Sequence, residues 1–283
     1  MLTLAESRKN VTRGSSATAI GSASPTPRFL GLRLAWQKHF SPFKTYLRRD
    51  RGVIVFLNPK VGTTMFRSVL MDALKASGAK TQLSRWWPLR HTRRLLTAPP
   101  ADFLHAALHP ERYTAYAFVR NPYSRLLSAW RDKFAARHDD AAPPRALART
   151  LPGLRKFAAS RGLPLAADDA KVPFATFVAY VEWQHEGTRD HHWDTQRSVL
   201  CSDYIPYGRL FKMETEFTAG VIAILTHLGL PTEGVAEKLA QPMNASRKLS
   251  QPAYNADLAA RVERIYACDF ERLGYDRESW RGM

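Results

Sequence analysis

The sequence is poor in cysteine and in acidic residues, and it contains no long hydrophobic run. Its two cysteines, Cys201 and Cys268, exclude a disulfide framework and fit a reducing compartment. A membrane-spanning helix needs about 18 consecutive apolar residues, and no such run is present. A signal-peptide hydrophobic region is not visible either. These absences disfavour secreted disulfide-rich proteins and integral membrane proteins.

The shortage of acidic residues leaves a strong positive charge. The 283 residues include 42 Lys and Arg against 25 Asp and Glu, which gives a formal net charge of +17. Such a balance indicates an anionic partner, which could be a nucleotide, a sulfated or carboxylated glycan, nucleic acid or a membrane surface. The length suits one large α/β domain or two small ones.

Composition divides the chain into a tail and a domain. Residues 1–28 are rich in Ser, Ala, Thr and Pro, which predicts a disordered basic tail, with an organelle transit peptide as the alternative. Residues 29–283 form the predicted domain. Aromatic and basic residues alternate from Phe29 to Arg51 and predict a short helix and loop. Residues 138–171 are rich in Ala, Pro and Arg, and we interpret them as an insertion or lid with a helix near Leu154–Ser160.

The chain is organised around a strand-loop-helix unit. Val53–Leu57 is a short, apolar, β-branched run that predicts a buried parallel strand, which must end at Pro59. Apolar residues from Met65 to Leu74 recur at helical spacing. Between strand and helix, backbone N–H groups and the helix dipole favour a phosphate or sulfate. The residues predicted to bind this anion are Pro59, Lys60, Val61, Gly62, Thr63 and Thr64.

This loop differs from the phosphate-binding loop of ATPases and GTPases. That pattern places its lysine after the second glycine, whereas Lys60 precedes Gly62 and the first glycine is missing. The order disfavours an ATPase or GTPase. A plain strand-turn-helix with a surface lysine is the alternative that this stretch alone leaves open.

A second unit of the same kind follows. Tyr113–Val119 predicts another buried strand, and the next helix begins near Pro122. Arg120 lies at the end of this strand and Ser128 on the inward turn of the helix, so the two form a suitable clamp for a second phosphate. Alternating β and α units predict an α/β fold, a P-loop-like parallel sheet flanked by helices, with the ligand at the carboxyl ends of the strands.

The remaining segments give weaker signals. His191, His192 and Trp193 lie in a predicted polar loop. We expect Arg125 to pair with an acid or to line an acceptor cleft, and Glu214 to bond a loop near the site. The other predicted elements are a short helix within Asp102–Arg112, a strand over Tyr204–Met213, and helices over Phe174–Trp183, Thr218–Leu228 and Ala256–Leu273.

Two segments resemble a known enzyme family. Residues 58–64 (NPKVGTT) resemble the 5′-phosphosulfate loop of carbohydrate sulfotransferases that use 3′-phosphoadenylyl sulfate (PAPS). Residues 118–134 (FVRNPYSRLLSAWRDKF) resemble their 3′-phosphate motif and are the more specific match. The group containing the HNK-1 and chondroitin 4-O-sulfotransferases is the most similar, with weaker likeness in residues 192–215 and 266–275. The resemblance extends over about residues 53–275.

The resemblance implies a single sulfotransferase domain that moves a sulfuryl group from PAPS to a hydroxyl of a glycan or glycolipid, without a metal. Lys60 would contact the bridging oxygen of PAPS, and Arg120 and Ser128 would hold its 3′-phosphate. Golgi members carry a membrane anchor, whereas these 283 residues contain no apolar run of that length, and Tyr204 replaces the second cysteine of their pair near Cys201. Both differences favour a cytoplasmic, bacterial enzyme. Peripheral membrane contact stays open, specific nucleic-acid binding is not expected, and the oligomeric state cannot be predicted.

The reaction needs a base to take the acceptor proton, and histidine titrates in the right range. Related sulfotransferases place a base histidine between the two cofactor motifs, where His91 lies, and His192 is the second candidate. Each has a structural alternative, as a surface residue or as a loop residue packed beside Trp193. Three other classes stay open: a nucleotide kinase, a basic nucleic-acid-binding protein, and an inactive relative that binds only the nucleotide.

Overall fold

The computed structural model describes residues 45–78, 100–135, 145–165, 172–240, 253–281 and 283. The predicted tail at 1–28 and the candidate base His91 lie outside the described residues. So do residues 138–144 and 166–171 of the predicted insertion. The division into tail and domain therefore stays a prediction.

A four-stranded, mostly parallel sheet forms the centre of the fold, in the order β1-β2-β3-β4. β2 pairs in parallel with β3, and β3 with β4, whereas the edge strand β1 is antiparallel to β2. The predicted α/β fold is confirmed, with one antiparallel strand added to the expected parallel sheet. The strands are β1 Thr45–Arg48, β2 Val53–Phe56, β3 Thr114–Val119 and β4 Tyr207–Lys212.

The helix and loop predicted over Phe29–Arg51 are corrected at residues 45–48, which form the strand β1, whereas residues 29–44 of that prediction lie outside the described residues. The side chains of Tyr46 and Leu47 are buried, and Arg49–Arg51 form a single 3-10 turn into β2. Gly52 makes this hairpin possible because its φ is 61°, and a Cβ there would lie 2.5 Å from the carbonyl oxygen of Arg112.

Helices cover the sheet and extend beyond it. Phe174–Trp183 is helical as predicted, and the helix near Leu154 is longer than predicted. The helix predicted over Thr218–Leu228 begins earlier, at Met213, directly after β4. The helices are α1 Thr63–Ala76, α2 Pro100–Leu108, α3 Pro122–Trp130, α4 Arg145–Ser160, α5 Phe174–Trp183, α6 Gln196–Leu200, α7 Met213–His227, α8 Val235–Ala240, α9 Ala256–Ile265 and α10 Ala267–Leu273. A π-helical turn, Arg131–Ala135, follows α3.

The single C-terminal helix predicted over Ala256–Leu273 is wrong, because the chain breaks at Tyr266 into α9 and α10. Tyr266 has φ −116° and ψ 23°, and its buried hydroxyl donates a hydrogen bond to the carbonyl of Trp193. The apolar stripe continues on both sides of the break, so helical periodicity alone could not reveal it.

Both faces of the sheet are buried, as the continuous apolar strands predict. On one face, residues of β2, β3 and β4 pack against α1 and α7. On the other face, Ala117 and Val119 pack beside Phe56 and Leu200. A second core joins α3, α4, α5 and α9 at the side of the sheet. None of the helices in the described part of the chain has the length and apolar character needed to span a bilayer.

The packing of α7 on the sheet predicts a strict requirement for glycine at position 220. A Cβ at Gly220 would lie 2.6 Å from Phe211 and 2.8 Å from Phe118. Gly220→Ala should lower the free energy of unfolding by about 1–3 kcal/mol through overpacking, although alanine is the better helix former. Urea denaturation measures the change, and Thr226→Ala, on the exposed side of α7, should alter it by less than about 0.5 kcal/mol. Equal stability of Gly220→Ala and wild type would contradict this account.

Candidate active site

The two predicted anion loops lie side by side at the carboxyl ends of β2 and β3. One buried side chain, Gln196, is bonded to both. Its Oε1 accepts hydrogen bonds from Asn58 Nδ2 (2.9 Å) and from the backbone N–H of Arg120 (2.9 Å). Its Nε2 donates to the carbonyl of Arg120 (2.7 Å). The guanidinium of Arg120 also donates to the carbonyl oxygen of Lys60 (3.0 Å), so the loops are in direct contact.

The backbone of the first loop has the conformation of an anion-binding concavity. Lys60 and Gly62 have φ values of 68° and 78°, in the left-handed region. A Cβ at Gly62 would lie 2.7 Å from the ring of Phe217, so glycine is required there by space as well as by conformation. The first turn of α1 contains no acidic residue, and no side chain caps it. Its partial positive charge is therefore available to a ligand.

The side chains of this loop divide into those that build it and those at its surface. Thr63 Oγ1 donates to the carbonyl of Asn58 (2.5 Å), so its hydroxyl stabilises the loop, and its predicted contact with the anion stays a prediction. Val61 is buried in the core, so only its backbone can face a ligand. Thr64 is exposed. The carbonyl of Pro59 accepts a hydrogen bond from Arg125 Nε (3.2 Å).

Arg125 is fully buried and joins three segments of the chain. Besides Pro59, it donates to the carbonyls of Asp194 (2.6 Å) and His191 (2.9 Å). These partners are backbone carbonyls, which corrects the expectation that Arg125 pairs with an acid or lines the acceptor cleft. Burial lowers the pKa of its guanidinium, although Tyr266 and Asp269 oppose that effect. The loop carrying Lys60 and the loop carrying His192 are thus held by a single guanidinium.

The ammonium of Lys60 lies beside a carboxylate. Its Nζ is 3.3 Å from Asp132 Oδ2, and the same oxygen is 3.0 Å from Nζ of Lys133. Burial lowers the pKa of Lys60, and the charge of Asp132 partly offsets that effect. Burial also acts to raise the pKa of Asp132, but Lys60 and Lys133 outweigh it and hold that pKa below its usual range. The ammonium of Lys60, which is predicted to bind an anionic ligand, is therefore paired with the carboxylate of Asp132.

A family model described as "Sulfotransferase family" matches residues 44–276, which include both anion loops and every strand of the sheet. The chain belongs to the sulfotransferase family. The family predicted from the two loop segments is therefore confirmed.

Curated relatives support the same assignment. Carbohydrate sulfotransferase 8 of Homo sapiens is 28% identical over 234 residues, which cover 80% of this chain and 53% of that protein. Carbohydrate sulfotransferase 11 of Rattus norvegicus is 26% identical over 171 residues, which cover 58% of this chain and 47% of that protein. The chain thus spans about half the length of these relatives. No solved structure gave a significant match.

The remaining predicted nucleotide contacts of this sulfotransferase-family chain lie on β3 and α3. Arg120 is half-buried, and burial lowers the pKa of its guanidinium while Glu214 opposes the shift. Glu214 accepts hydrogen bonds from the N–H of Asn121 (2.8 Å) and the hydroxyl of Tyr275 (3.0 Å), in agreement with its predicted structural role. Ser128 is half-buried on α3, two turns beyond Arg120.

Sequence reasoning missed the support beneath the two loops. The buried carboxylate of Asp269, on α10, accepts from the backbone N–H groups of Gln196 (2.7 Å) and Arg197 (2.9 Å) at the start of α6. Burial raises the pKa of Asp269 to about 6. The only sequence signal was the weak family likeness around residues 266–275, because a lone glutamine and a lone aspartate carry no local pattern.

The loop predicted around His191–Trp193 is polar only in part, because Trp193 is buried and its indole N–H donates to Gln184 Oε1 (2.9 Å). His192 Nδ1 lies 2.6 Å from Asp190 Oδ1, and His191 Nδ1 lies 3.6 Å from the same oxygen. Ligand-type atoms of these three residues fall within 4.8 Å of one another, as in a cation site. The short hydrogen bond, however, already occupies Nδ1 of His192 and Oδ1 of Asp190.

The role of Arg125 predicts that lysine cannot replace it. An ammonium is a compact charge that cannot span three carbonyls as a planar guanidinium does. Arg125→Lys should lower the free energy of unfolding by at least about 2 kcal/mol, since buried carbonyls lose their partners. Urea denaturation is the measurement, and the control is Arg264→Lys, at a side chain that is 66% exposed. Similar losses in the two variants would contradict the bridging role.

The charges around Lys60 predict opposite effects of two neutral substitutions. Removing the negative charge in Asp132→Asn should lower the pKa of Lys60 further, whereas Lys133→Met should raise it, because Lys133 repels the protonated form. The pKa can be followed by NMR of protein with ¹³C-methylated lysines, the Lys60 signal being assigned by its loss in Lys60→Arg. Shifts of the same sign in both variants would overturn this electrostatic description.

Proposed function

We propose that the chain transfers the sulfuryl group of PAPS to a hydroxyl of a carbohydrate acceptor. The observation that carries the proposal is the contact between the two anion loops, through Gln196 and between Arg120 and Lys60. Two cationic loops at one edge of a sheet suit a ligand with an anionic group at each end. Membership of the sulfotransferase family supports PAPS as that ligand, and the names of the relatives support a carbohydrate acceptor.

In the proposed reaction the acceptor oxygen attacks sulfur in line as the sulfur–oxygen bond to the nucleotide breaks. Negative charge develops on the departing phosphate oxygen of 3′-phosphoadenosine 5′-phosphate (PAP). The ammonium of Lys60 and the N–H groups of its loop are suited to stabilise that charge. Arg120 and Ser128 would hold the 3′-phosphate and so fix the position of the donor.

The Lys60 loop fits a sulfonated nucleotide in its conformation as well as in its charge. Left-handed residues and an uncapped, acid-free helix start are features of loops that bind phosphate. An anion binding here would compete with Asp132 for the ammonium of Lys60. Donor binding should therefore loosen the Lys60–Asp132 pair and raise the pKa of Lys60.

Several finer features stay predictions. A glycan and a glycolipid are both consistent with the proposed acceptor class, and the net charge of +17 favours an anionic one. A cytoplasmic location is still a prediction from the sequence. His91 and His192 are the two candidates for the base. A reaction that proceeds in the presence of EDTA would separate this proposal from a magnesium-dependent kinase.

The proposal predicts that Lys60→Ala loses at least about 100-fold in transfer rate, as expected when a charge-stabilising group is removed. The assay measures transfer of ³⁵S from labelled PAPS into a polysaccharide and glycolipid extract of the source organism. The control is Lys75→Ala, which removes a lysine whose side chain is 70% exposed in the last turn of α1, the helix that follows the Lys60 loop. That variant should keep the wild-type rate.

Binding of PAP, measured by calorimetry, provides a test that needs no acceptor. Lys60→Ala and Arg120→Ala should both weaken PAP binding, and Lys75→Ala should not. If wild-type protein bound no PAP and transferred no label to any fraction of the extract, the proposed function would be wrong. If Lys60→Ala kept the full transfer rate, the proposed role of Lys60 would be wrong, and the proposed sulfuryl transfer would still stand.

A further inference from the structure

The loop that contains His191 and His192 also contains a carboxylate, that of Asp190, which is well placed to orient one of the two histidines. Asp190 Oδ1 accepts a hydrogen bond from the backbone N–H of His192 (2.9 Å) and lies 2.6 Å from Nδ1 of the same residue. Burial tends to raise the pKa of Asp190, but the bonds from His192 outweigh that effect and hold the pKa at about 2. Asp190 is therefore ionised near neutral pH and can only accept hydrogen bonds.

This geometry determines which nitrogen of His192 carries the proton. Because an ionised carboxylate can only accept, Nδ1 must be the donor in the 2.6 Å bond. The other ring nitrogen, Nε2, then carries the lone pair when the imidazole is neutral. The side chain of His192 is 21% exposed, so part of the ring can be reached from outside.

The neighbouring histidine differs in each of these respects. Nδ1 of His191 is 3.6 Å from Asp190 Oδ1, beyond hydrogen-bonding distance, and its side chain is 40% exposed. Its ring packs against that of His192, with 4.2 Å between centroids. Asp190 therefore orients His192 through a direct bond from Nδ1 to Oδ1, whereas Nδ1 of His191 lies 1 Å farther from the same oxygen, at 3.6 Å against 2.6 Å.

The loop is held firmly beside the loop that carries Lys60. The guanidinium of Arg125 donates to the carbonyl of His191 and, through Nε, to that of Pro59, so the residues preceding His192 and Lys60 share one partner. The carboxylate of Asp194 fixes the loop further by accepting from the N–H of Gly187 (3.0 Å). The oriented imidazole and the ammonium are thus on neighbouring, braced segments.

We propose that His192 takes the proton of the acceptor hydroxyl and that Asp190 is its positioning residue. This inference rests on the proposed function and assigns the role of base to His192, one of the two predicted candidates. The acceptor O–H proton moves to Nε2 of His192 while the oxygen–sulfur bond forms. The sulfur–oxygen bond to the nucleotide breaks, and its electron pair leaves on the phosphate of PAP. The resulting imidazolium is stabilised by the charge of Asp190 until it returns the proton to solvent.

The first test compares variants of the loop in the ³⁵S assay at saturating PAPS. His192→Ala should lose on the order of 10²- to 10⁴-fold in rate, as is typical for a general base, with KM for PAPS unchanged. Asp190→Ala should lose rate as well. His191→Phe, which keeps a ring against His192, should retain the wild-type rate. The double variant Asp190→Ala/His192→Ala should be no slower than His192→Ala, because the two residues act as one unit.

Two further measurements separate a chemical role from a structural one. Added imidazole should restore part of the activity of His192→Ala but none of that of Lys60→Ala. In protein labelled with ¹⁵N-histidine, wild-type His192 should show the Nδ1–H tautomer, and Asp190→Ala should change that spectrum. The tautomer test needs no acceptor, so it examines Asp190 even if sulfuryl transfer is not found.

The outcomes distinguish this inference from the proposed function. Full activity of His192→Ala, together with loss of activity in Lys60→Ala, would overturn the inference and leave sulfuryl transfer standing. An Nε2–H tautomer in wild type would overturn the role of Asp190. If the dialysed protein lost activity with EDTA and regained it with zinc, while Asp190→Ala and His192→Ala no longer bound zinc, the loop would be a metal site.

Discussion

The arrangement of the site depends on one buried cation, the guanidinium of Arg125. It donates to carbonyls that belong to Pro59, His191 and Asp194, residues that lie far apart in the chain. Burying a charge is costly unless its hydrogen bonds are satisfied, and here each bonded carbonyl gains a charged donor in return. Because the guanidinium is planar and rigid, it also fixes the distance between the segments it joins. The position of Lys60 relative to His192 follows from that geometry.

A second buried centre, the side-chain amide of Gln196 supported by the carboxylate of Asp269, joins the two anion loops. Gln196 connects the end of β2 to the end of β3, and Asp269 fixes Gln196 by accepting the N–H groups at the start of α6. Since α10 provides Asp269, the C-terminal part of the domain supports the proposed nucleotide site by holding Gln196 in place. Asp269 resists ionisation because of its burial, with a pKa of about 6. Its two hydrogen bonds should therefore weaken on acidification, when a protonated oxygen replaces one acceptor.

Local chemistry explains which parts of this structure could be predicted from the sequence. The apolar runs of β2 and β3, the proline after β2, Gly62 and Arg120 each carry their signal within a few residues, so both strand-loop-helix units were predicted correctly. Contacts between distant segments carry no such signal. Arg125 lies within a helical pattern, and nothing near it in the sequence shows that its partners are carbonyls. The break at Tyr266 was missed because the apolar stripe runs through it.

The acids near the site matter as much as its excess of positive charge. Asp132 lies against Lys60, Glu214 holds the backbone of Asn121, and Asp190 orients His192. Each carboxylate restrains a group whose position or protonation the proposed reaction needs. A net charge of +17 could attract many anions, and it would not by itself choose a nucleotide. Selectivity requires cations held at fixed places, and in this fold their neighbours fix them, with Lys60 beside Asp132 and Arg120 against the carbonyl of Lys60.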